Sequence, residues 1–307
     1  MPMIKNVLKW FLMVPLRIVA PLVPVRMLYA LARTGGRIYF VLAQNTVKKM
    51  SYEFSALTGS DPAYDVDQVV LRSCQNYISS ELEVFLYRRM TSANIGAFVA
   101  LEGASYLDAA LAEGRGVILL HAHFGNAHML MPALGHRGYT VNQVGLLPSD
   151  AAAYVEQVMD KRPDKTTVGW FKLKEQYEKS LPVNFIYLGK RMRPAIECLK
   201  RNEIMAISLD GVAGDMVELP FFRRKAKFLT GPVRLARSTG AVIIPAFTVR
   251  NKNGSIRLII EPPIKDFDTV EAGAAAFVSL LEGYVRKYPC HYARLLAYDA
   301  PPFGRDT

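Results

Sequence analysis

From Leu101 onward, the chain alternates short apolar runs with segments whose apolar residues recur at helical spacing. The apolar runs are predicted to be buried strands, at Val117–Leu120, Val141–Leu146, Asn184–Leu188, Ile204–Leu209, Val242–Val249 and Ile256–Ile260. The segments between them predict helices at Ala127–Leu134, Ala151–Met159, Met192–Lys200 and Pro232–Ser238. Because parallel strands need long crossover connections, this alternation predicts an α/β domain with a mostly parallel central sheet flanked by helices.

The N-terminal segment is apolar but irregular. Residues Trp10–Val25 read WFLMVPLRIVAPLVPV, interrupted by Arg17 and three prolines. A spanning helix needs about 20 mostly apolar residues, and a central arginine costs roughly 2.5–3.5 kcal/mol on insertion scales. The pattern therefore favours an interfacial membrane anchor, with cations at the phosphates and apolar side chains in the lipid. A single tilted span and a helix packed on its own domain remain alternatives.

The segment between the anchor and the α/β domain is predicted to be helical. Apolar residues recur at helical spacing between Tyr52 and Met90, most regularly over Tyr64–Tyr87. We therefore predict a membrane-anchoring helical segment at 1–35, a helical lead-in at 36–100 and an α/β domain at 101–300.

The charge balance limits the kind of partner. The formal net charge is +11, which suits an anionic partner such as a lipid headgroup, an acidic carrier protein or nucleic acid. The mean hydropathy of +0.12 is high for a nucleic-acid binder, so we expect no nucleic acid. The 3 widely spaced cysteines predict neither a disulfide framework nor a cysteine-based zinc site.

Histidines cluster where the first predicted strand ends. Of the 5 histidines, four lie in one window, at His121, His123, His128 and His136. His121 and His123 follow the apolar strand, and ligands of open α/β sheets gather at the carboxyl ends of strands. Gly125 allows a tight turn there, and Asn126 is a good helix N-cap residue.

This cluster allows three interpretations. The histidines are ordinary turn residues, or they hold a metal, or His123 is a general base. His-x-His at a strand end can bind zinc, but Gly125 and Asn126 stand where a metallohydrolase motif has Asp and His. We therefore expect no metal.

The segment His123-Phe-Gly-Asn-Ala-His128 resembles the His-Phe-Gly-Asn-Trp-Glu block of bacterial lauroyl/myristoyl lipid A acyltransferases, in the lysophospholipid acyltransferase superfamily. Later segments resemble further blocks of that family in the same order. They are Asp210, Val217–Phe222, Thr230-Gly-Pro, Leu235–Ala241 and Ile244-Pro245. The resemblance covers about residues 5–295 and implies a glycerol-phosphate-acyltransferase-like fold, so that 101–300 would be the acyltransferase domain.

The resemblance also implies roles for individual residues. His123 would be the catalytic base, with His128 in the position where the family has an acid. A neutral His128 can accept a hydrogen bond from His123 but supplies no negative charge, so Asp210 and Asp215 are candidates for that acid. Asn126, Arg193, Asp210, Arg223 and Arg224 are the candidate substrate-binding residues. A solvated loop face is the alternative interpretation of both arginine clusters.

The expected activity is transfer of a fatty acyl group from an acyl carrier protein or coenzyme A thioester to a glycolipid or lysolipid at the cytoplasmic face of the inner membrane. The thioester is a co-substrate, and no cofactor is expected. Three other functions stay open: transfer of another acyl or aminoacyl group, a non-catalytic lipid-binding relative, and a metal-dependent hydrolase.

Overall fold

The computed structural model describes residues 15–145, 165–187, 193–211, 214–251 and 253–292. Its helices are α1 (Arg17–Val19), α2 (Val25–Leu42), α3 (Gln44–Thr58), α4 (Val66–Glu83), α5 (Ile95–Phe98), α6 (Ala104–Ala112), α7 (Leu130–Gly135), α8 (Lys165–Glu178), α9 (Arg193–Lys200), α10 (Gly231–Thr239) and α11 (Val270–Lys287). Its strands are β1 (Val99–Glu102), β2 (Val117–His121), β3 (Val141–Gly145), β4 (Asn184–Tyr187), β5 (Ile204–Ser208), β6 (Met216–Phe221), β7 (Arg224–Leu229), β8 (Val242–Arg250) and β9 (Ile256–Ile260). Short 3₁₀ turns occupy Val84–Arg89, Ala127–Met129 and Pro289–His291.

Most of the described strands form one sheet, in the order β1-β9-β8-β2-β5-β3-β4. Neighbouring strands are parallel throughout, except that β8 and β9 are antiparallel. The predicted α/β class with a mostly parallel sheet is therefore confirmed. The predicted strands are found close to their expected ends, and the predicted helix Ala151–Met159 lies outside the described residues.

The burial of the central strand β2 explains why its sequence is an uninterrupted apolar run. Every residue of β2 is buried. Val117 and Leu119 belong to one hydrophobic core, and Ile118 and Leu120 belong to another. Since successive side chains of a strand point to opposite faces, both faces of the sheet must be covered, and β2 therefore has no polar alternation.

The antiparallel hairpin of β6 and β7 was not predicted. Its connection is the pair Phe222-Arg223, with Phe222 at φ +56°. Two-residue hairpin turns usually carry glycine or asparagine at such positions, so this turn has no sequence signature. The basic residues that the sequence suggested as a loop cluster therefore lie on a hairpin.

The N-terminal helices pack on the domain as an amphipathic layer. Buried residues of α2 include Leu28, Tyr29 and Tyr39, and the guanidinium of Arg89 donates to the backbone oxygens of Ala20 and Val23. Across the described residues, no helix combines the length and the apolarity that a bilayer crossing needs. The predicted apolar anchoring helix is thus not found in the described part of the segment, where prolines separate α1 from α2.

Helix α2 runs without a break across residues 35 and 36. Strand β1 begins at Val99, close to the predicted start of the α/β domain. The division into three segments stays a prediction.

Candidate functional site

The site lies just beyond the carboxyl ends of β2 and β5. These strands are adjacent and parallel, with His121 paired to Ser208. The backbone N–H of Leu209 donates to the oxygen of His121 at 2.9 Å, so the pairing extends past the strands. His123 and Asp210 each follow their paired residue by two positions, which brings residues distant in sequence together.

His123 and Asp210 form a histidine–carboxylate pair. The ring Nδ1 of His123 lies 2.7 Å from Oδ1 of Asp210, and the backbone N–H of His123 lies 3.0 Å from both carboxylate oxygens. The His123 side chain is 47% exposed, whereas Asp210 is fully buried. A buried carboxylate that receives both donors fixes the ring's direction and leaves its other nitrogen, Nε2, for a reaction partner.

His128 makes a different contact from the one that the sequence suggested. Its Nδ1 is 3.4 Å from Oε1 of Glu178, and its side chain is 65% exposed. The hydrogen-bond partner of Nδ1 of His123 is Asp210, not the expected His128. Asp215, the other acid that the sequence offered, pairs with Arg234 at 2.7 Å.

The loop after His123 is fixed by close backbone contacts. The backbone N–H of Gly125 donates to the oxygen of His291 at 2.7 Å, and the hydroxyl of Thr248 donates to the oxygen of Phe124 at 3.0 Å. Gly125 has φ +62°, and a Cβ added there would lie 1.9 Å from the oxygen of Thr248. The tight turn expected at Gly125 is therefore present.

We expect Gly125→Ala to lower the free energy of unfolding by about 3 kcal/mol or more, because it combines backbone strain with a steric clash. Gly114→Ala is the matched control, since Gly114 has φ +71° and no atom within 4 Å of the added Cβ. That control is expected to cost only about 1–2 kcal/mol. Urea unfolding of the two variants measures the difference, and equal losses would contradict the proposed clash.

Asn126 occupies the N-cap position that the sequence predicted, before the 3₁₀ turn at Ala127–Met129, but its side chain does not cap that turn. Its side chain makes no capping hydrogen bond, and its amide instead donates to Oε2 of Glu83 at 2.6 Å. Glu83 is fully buried and also accepts from the hydroxyl of Tyr29 and from both terminal nitrogens of Arg250. Glu83 was not among the predicted site residues. The only sign of its role in the sequence is that an acidic residue stands among the apolar positions of α4.

The candidate cations make contacts with residues other than His123 and Asp210. Arg193 is exposed and pairs with Glu197 one helical turn later. Arg224 lies 3.4 Å from Glu53, and the guanidinium of Arg223 packs against Gly59. The neighbouring cluster residues at positions 190 and 191 lie outside the described residues. Substrate binding by these arginines therefore stays a prediction.

Two other histidines are buried in or beside the site. Burial, together with the nearby His123, lowers the pKa of His121 to about 4. Burial, together with Arg250, lowers the pKa of His291 to about 4. Both rings are therefore neutral at pH 7, and His291 accepts a hydrogen bond at Nε2 from the backbone N–H of Arg250 at 2.9 Å.

These two histidines predict a loss of stability in acid. Between pH 6.5 and 4 the unfolded chain binds protons at His121 and His291 that the folded chain does not. The free energy of unfolding therefore falls as the pH decreases, by about 2 kcal/mol per histidine from pH 7 to pH 5. Urea unfolding at both pH values tests this. His121→Gln and His291→Gln should each reduce the difference, and an unchanged difference in both variants would refute the assignment.

Metal ligands are not grouped in the described part of the chain. There, no three or more histidine, cysteine, aspartate or glutamate side chains are placed to hold one ion.

Comparison with known proteins assigns the chain to a class of lipid acyltransferases. Residues 1–297 match the model of the bacterial lipid A biosynthesis acyltransferases, and the chain belongs to this family. The resemblance seen in the sequence is therefore confirmed.

Individual relatives share only limited sequence identity with this chain. Phosphatidylinositol mannoside acyltransferases of two strains of Mycobacterium tuberculosis are 26% and 25% identical over 219 residues, which are 69% of this chain and 63% of theirs. The chain thus matches less than two thirds of the length of these relatives. The crystal structure of the 1-acyl-sn-glycerophosphate (LPA) acyltransferase PlsC from Thermotoga maritima is 14% identical, with a TM-score of 0.36 over 94% of this chain and 98% of that one.

Proposed function

We propose that this protein transfers a fatty acyl group from an acyl thioester to a hydroxyl, or an amine, of a glycolipid or lysolipid, with His123 as general base. Family membership supports the class of reaction. The observation that carries the role of His123 is its half-exposed ring, which lies 2.7 Å from the buried carboxylate of Asp210.

The proposed reaction follows from the direction of the ring. With Nδ1–H donated to Asp210, Nε2 is unprotonated and takes the proton of the acceptor hydroxyl as its oxygen attacks the thioester carbonyl. The carbon–sulfur bond breaks, and the imidazolium returns the proton to the departing thiolate. Asp210 stabilises the imidazolium in between, the role of the acid in other histidine–carboxylate pairs. Transfer is direct, without an acyl-enzyme.

The oxyanion needs hydrogen-bond donors, and backbone amides of the same loop or a nearby cation are proposed to supply them. The backbone N–H of His123 is used by Asp210, and that of Gly125 is used by His291. Of the amides at 125–127, those of Asn126 and Ala127 therefore remain candidates for this role.

The acceptor is proposed to be reached from a lipid surface, at the cytoplasmic face of the inner membrane. The outer face of α2 carries an exposed apolar stripe, formed by Met27, Leu31, Ile38 and Leu42. Their spacing places them within about one quarter of the helix circumference. The exposed arginines of α2 at positions 26, 33 and 37 lie to one side of the stripe, and the helix contains no acidic residue. An apolar stripe beside cations suits anionic lipid.

The donor is proposed to be an acyl carrier protein or coenzyme A thioester, acting as co-substrate without a further cofactor. Both carriers present phosphate groups, for which arginine is well suited. Arg193, Arg223 and Arg224 are the proposed contacts, so binding of the donor would have to displace the carboxylates that now pair with Arg193 and Arg224.

A transfer assay tests the proposal. The purified chain is given palmitoyl-coenzyme A or palmitoyl-acyl carrier protein, with vesicles holding a lysophospholipid, a lipid A precursor or a phosphatidylinositol mannoside. We expect mass spectrometry to show one acceptor gaining the acyl group while the carrier thiol is freed. The same acylated lipid should be absent from the lipids of a strain that lacks the gene. Binding of lipid without turnover in every combination would contradict the proposal and favour a non-catalytic role.

A further inference from the structure

We infer that Glu83 is a positioning residue, whose buried carboxylate holds the His123 loop through Asn126 and joins that loop to helix α2 through Tyr29. The inference rests on the proposed function, because the position of the loop matters through the chemistry of His123.

The carboxylate of Glu83 is saturated by donors from three other segments. Oε1 accepts from the hydroxyl of Tyr29 at 2.7 Å and from Nη1 of Arg250. Oε2 accepts from Nδ2 of Asn126 at 2.6 Å and from Nη2 of Arg250 at 2.8 Å. The four donors occupy the acceptor sites of both oxygens, so any shift of one donor leaves a buried polar group unpaired.

The charged groups of this cluster are buried, which costs free energy of desolvation. Glu83 is fully buried and the Arg250 side chain is 9% exposed. Burial acts to lower the pKa of Arg250, but the charge of Glu83 raises it overall, so Arg250 stays charged. A buried ion pair contributes little net stability, and its best-attested use is to specify one geometry. Here that geometry includes the loop that carries His123.

Arg250 holds the same loop by a second route. Its backbone N–H donates to Nε2 of His291, and the oxygen of His291 accepts from the backbone N–H of Gly125. The ring of His291 also stacks on Phe124, with centroids 5.6 Å apart. Glu83 and Arg250 together therefore fix the loop on both sides of Gly125.

Tyr29 extends the cluster to the helix proposed to meet lipid. It lies on the buried face of α2, opposite the exposed apolar stripe. Movement of α2 relative to α4 would pull the hydroxyl from Glu83 and disturb the hydrogen bond of Asn126. The position of α2 is thereby linked to the position of the catalytic loop.

The test compares two buried asparagines. Asn126→Ala removes the contact with Glu83, whereas Asn142→Ala removes an amide that donates to Oε2 of Glu203 at 2.9 Å, outside the site. Both variants are expected to unfold at lower temperature. Only Asn126→Ala is expected to lower kcat, by roughly 10- to 100-fold at 25 °C, with an unchanged KM for palmitoyl-coenzyme A. An equal loss of kcat in Asn142→Ala would overturn the inference.

A second pair of variants makes smaller changes, so that the inference can still be tested if Asn126→Ala does not fold. Tyr29→Phe removes one hydroxyl from Glu83, and Tyr139→Phe removes a hydroxyl that donates to Asp108 at the same 2.7 Å. Only Tyr29→Phe should lower kcat. Combined with Asn126→Ala, its effect should be smaller than the product of the two single effects, since both act through Glu83. If the loss of kcat in the double variant equals the product of the two single losses, the link to α2 is overturned.

Nuclear magnetic resonance separates failure of this inference from failure of the proposed function. In protein labelled at histidine, the ring signals of His123 should shift in Asn126→Ala and stay in place in Asn142→Ala. This readout needs no turnover. An inactive wild type would refute the acyltransferase proposal alone, and unshifted His123 signals in Asn126→Ala would refute the positioning role alone.

Discussion

The His123→Ala variant is expected to lose about 10²- to 10⁴-fold in kcat, the usual contribution of a positioned general base. The ring is half-exposed, so its removal leaves the hydrophobic core intact, and KM for the thioester should change little. Initial rates of transfer from palmitoyl-coenzyme A measure the loss.

His128→Ala is the control for this prediction, because it removes an imidazole five residues further along the chain. His128 is exposed and lies 3.4 Å from Glu178, and exposed polar contacts of this kind contribute only about 0–1 kcal/mol. We expect kcat to stay within about fivefold of wild type. A larger loss in His128→Ala than in His123→Ala would contradict the assignment of the base.

The Asp210→Asn variant is expected to lose activity on a similar scale, roughly 10²- to 10⁴-fold in kcat. Asparagine can still accept the backbone N–H of His123, but its amide nitrogen cannot accept Nδ1–H. The ring is then driven to the opposite tautomer, with the proton on Nε2, where the base is needed. Steady-state kinetics should show a fall in kcat rather than a rise in KM.

Asp215→Asn is the matched control for Asp210→Asn. Asp215 is an exposed acid that pairs with Arg234, and it is the other candidate that the sequence offered. Its substitution should leave kcat within about twofold, given the small contribution of exposed pairs. Loss of activity in Asp215→Asn, with Asp210→Asn unaffected, would show that the wrong carboxylate had been assigned.

The strands of the sheet could be predicted because they are buried on both faces. A run such as Val117–Leu120 has no polar alternation, which is the pattern of a parallel strand under helices. The β6–β7 hairpin could not be predicted from its turn, since Phe222 adopts a left-handed conformation without being glycine or asparagine. Phe222 instead contacts residues distant in sequence, since its backbone N–H donates to Oε2 of Glu282 at 2.7 Å and the guanidinium of Arg286 lies over its ring.

The candidate site was only partly predictable. Clustering identified His123, but its acidic partner lies 87 residues later in the chain. The register of β2 against β5 selects Asp210, and register depends on packing across the sheet. Asn126 was predicted as a helix cap because asparagine favours that position, yet a buried carboxylate 43 residues upstream binds its amide instead. Long-range hydrogen bonds of this kind leave little trace in one sequence.

The tautomer of His123 tests the proposed mechanism most directly. In ¹⁵N spectra of histidine-labelled protein, above the pH at which the ring titrates, we expect Nδ1 to carry the proton and Nε2 to be bare. A proton on Nε2 of wild-type His123 would contradict the mechanism, because the nitrogen that faces the acceptor hydroxyl would then have no lone pair to receive its proton.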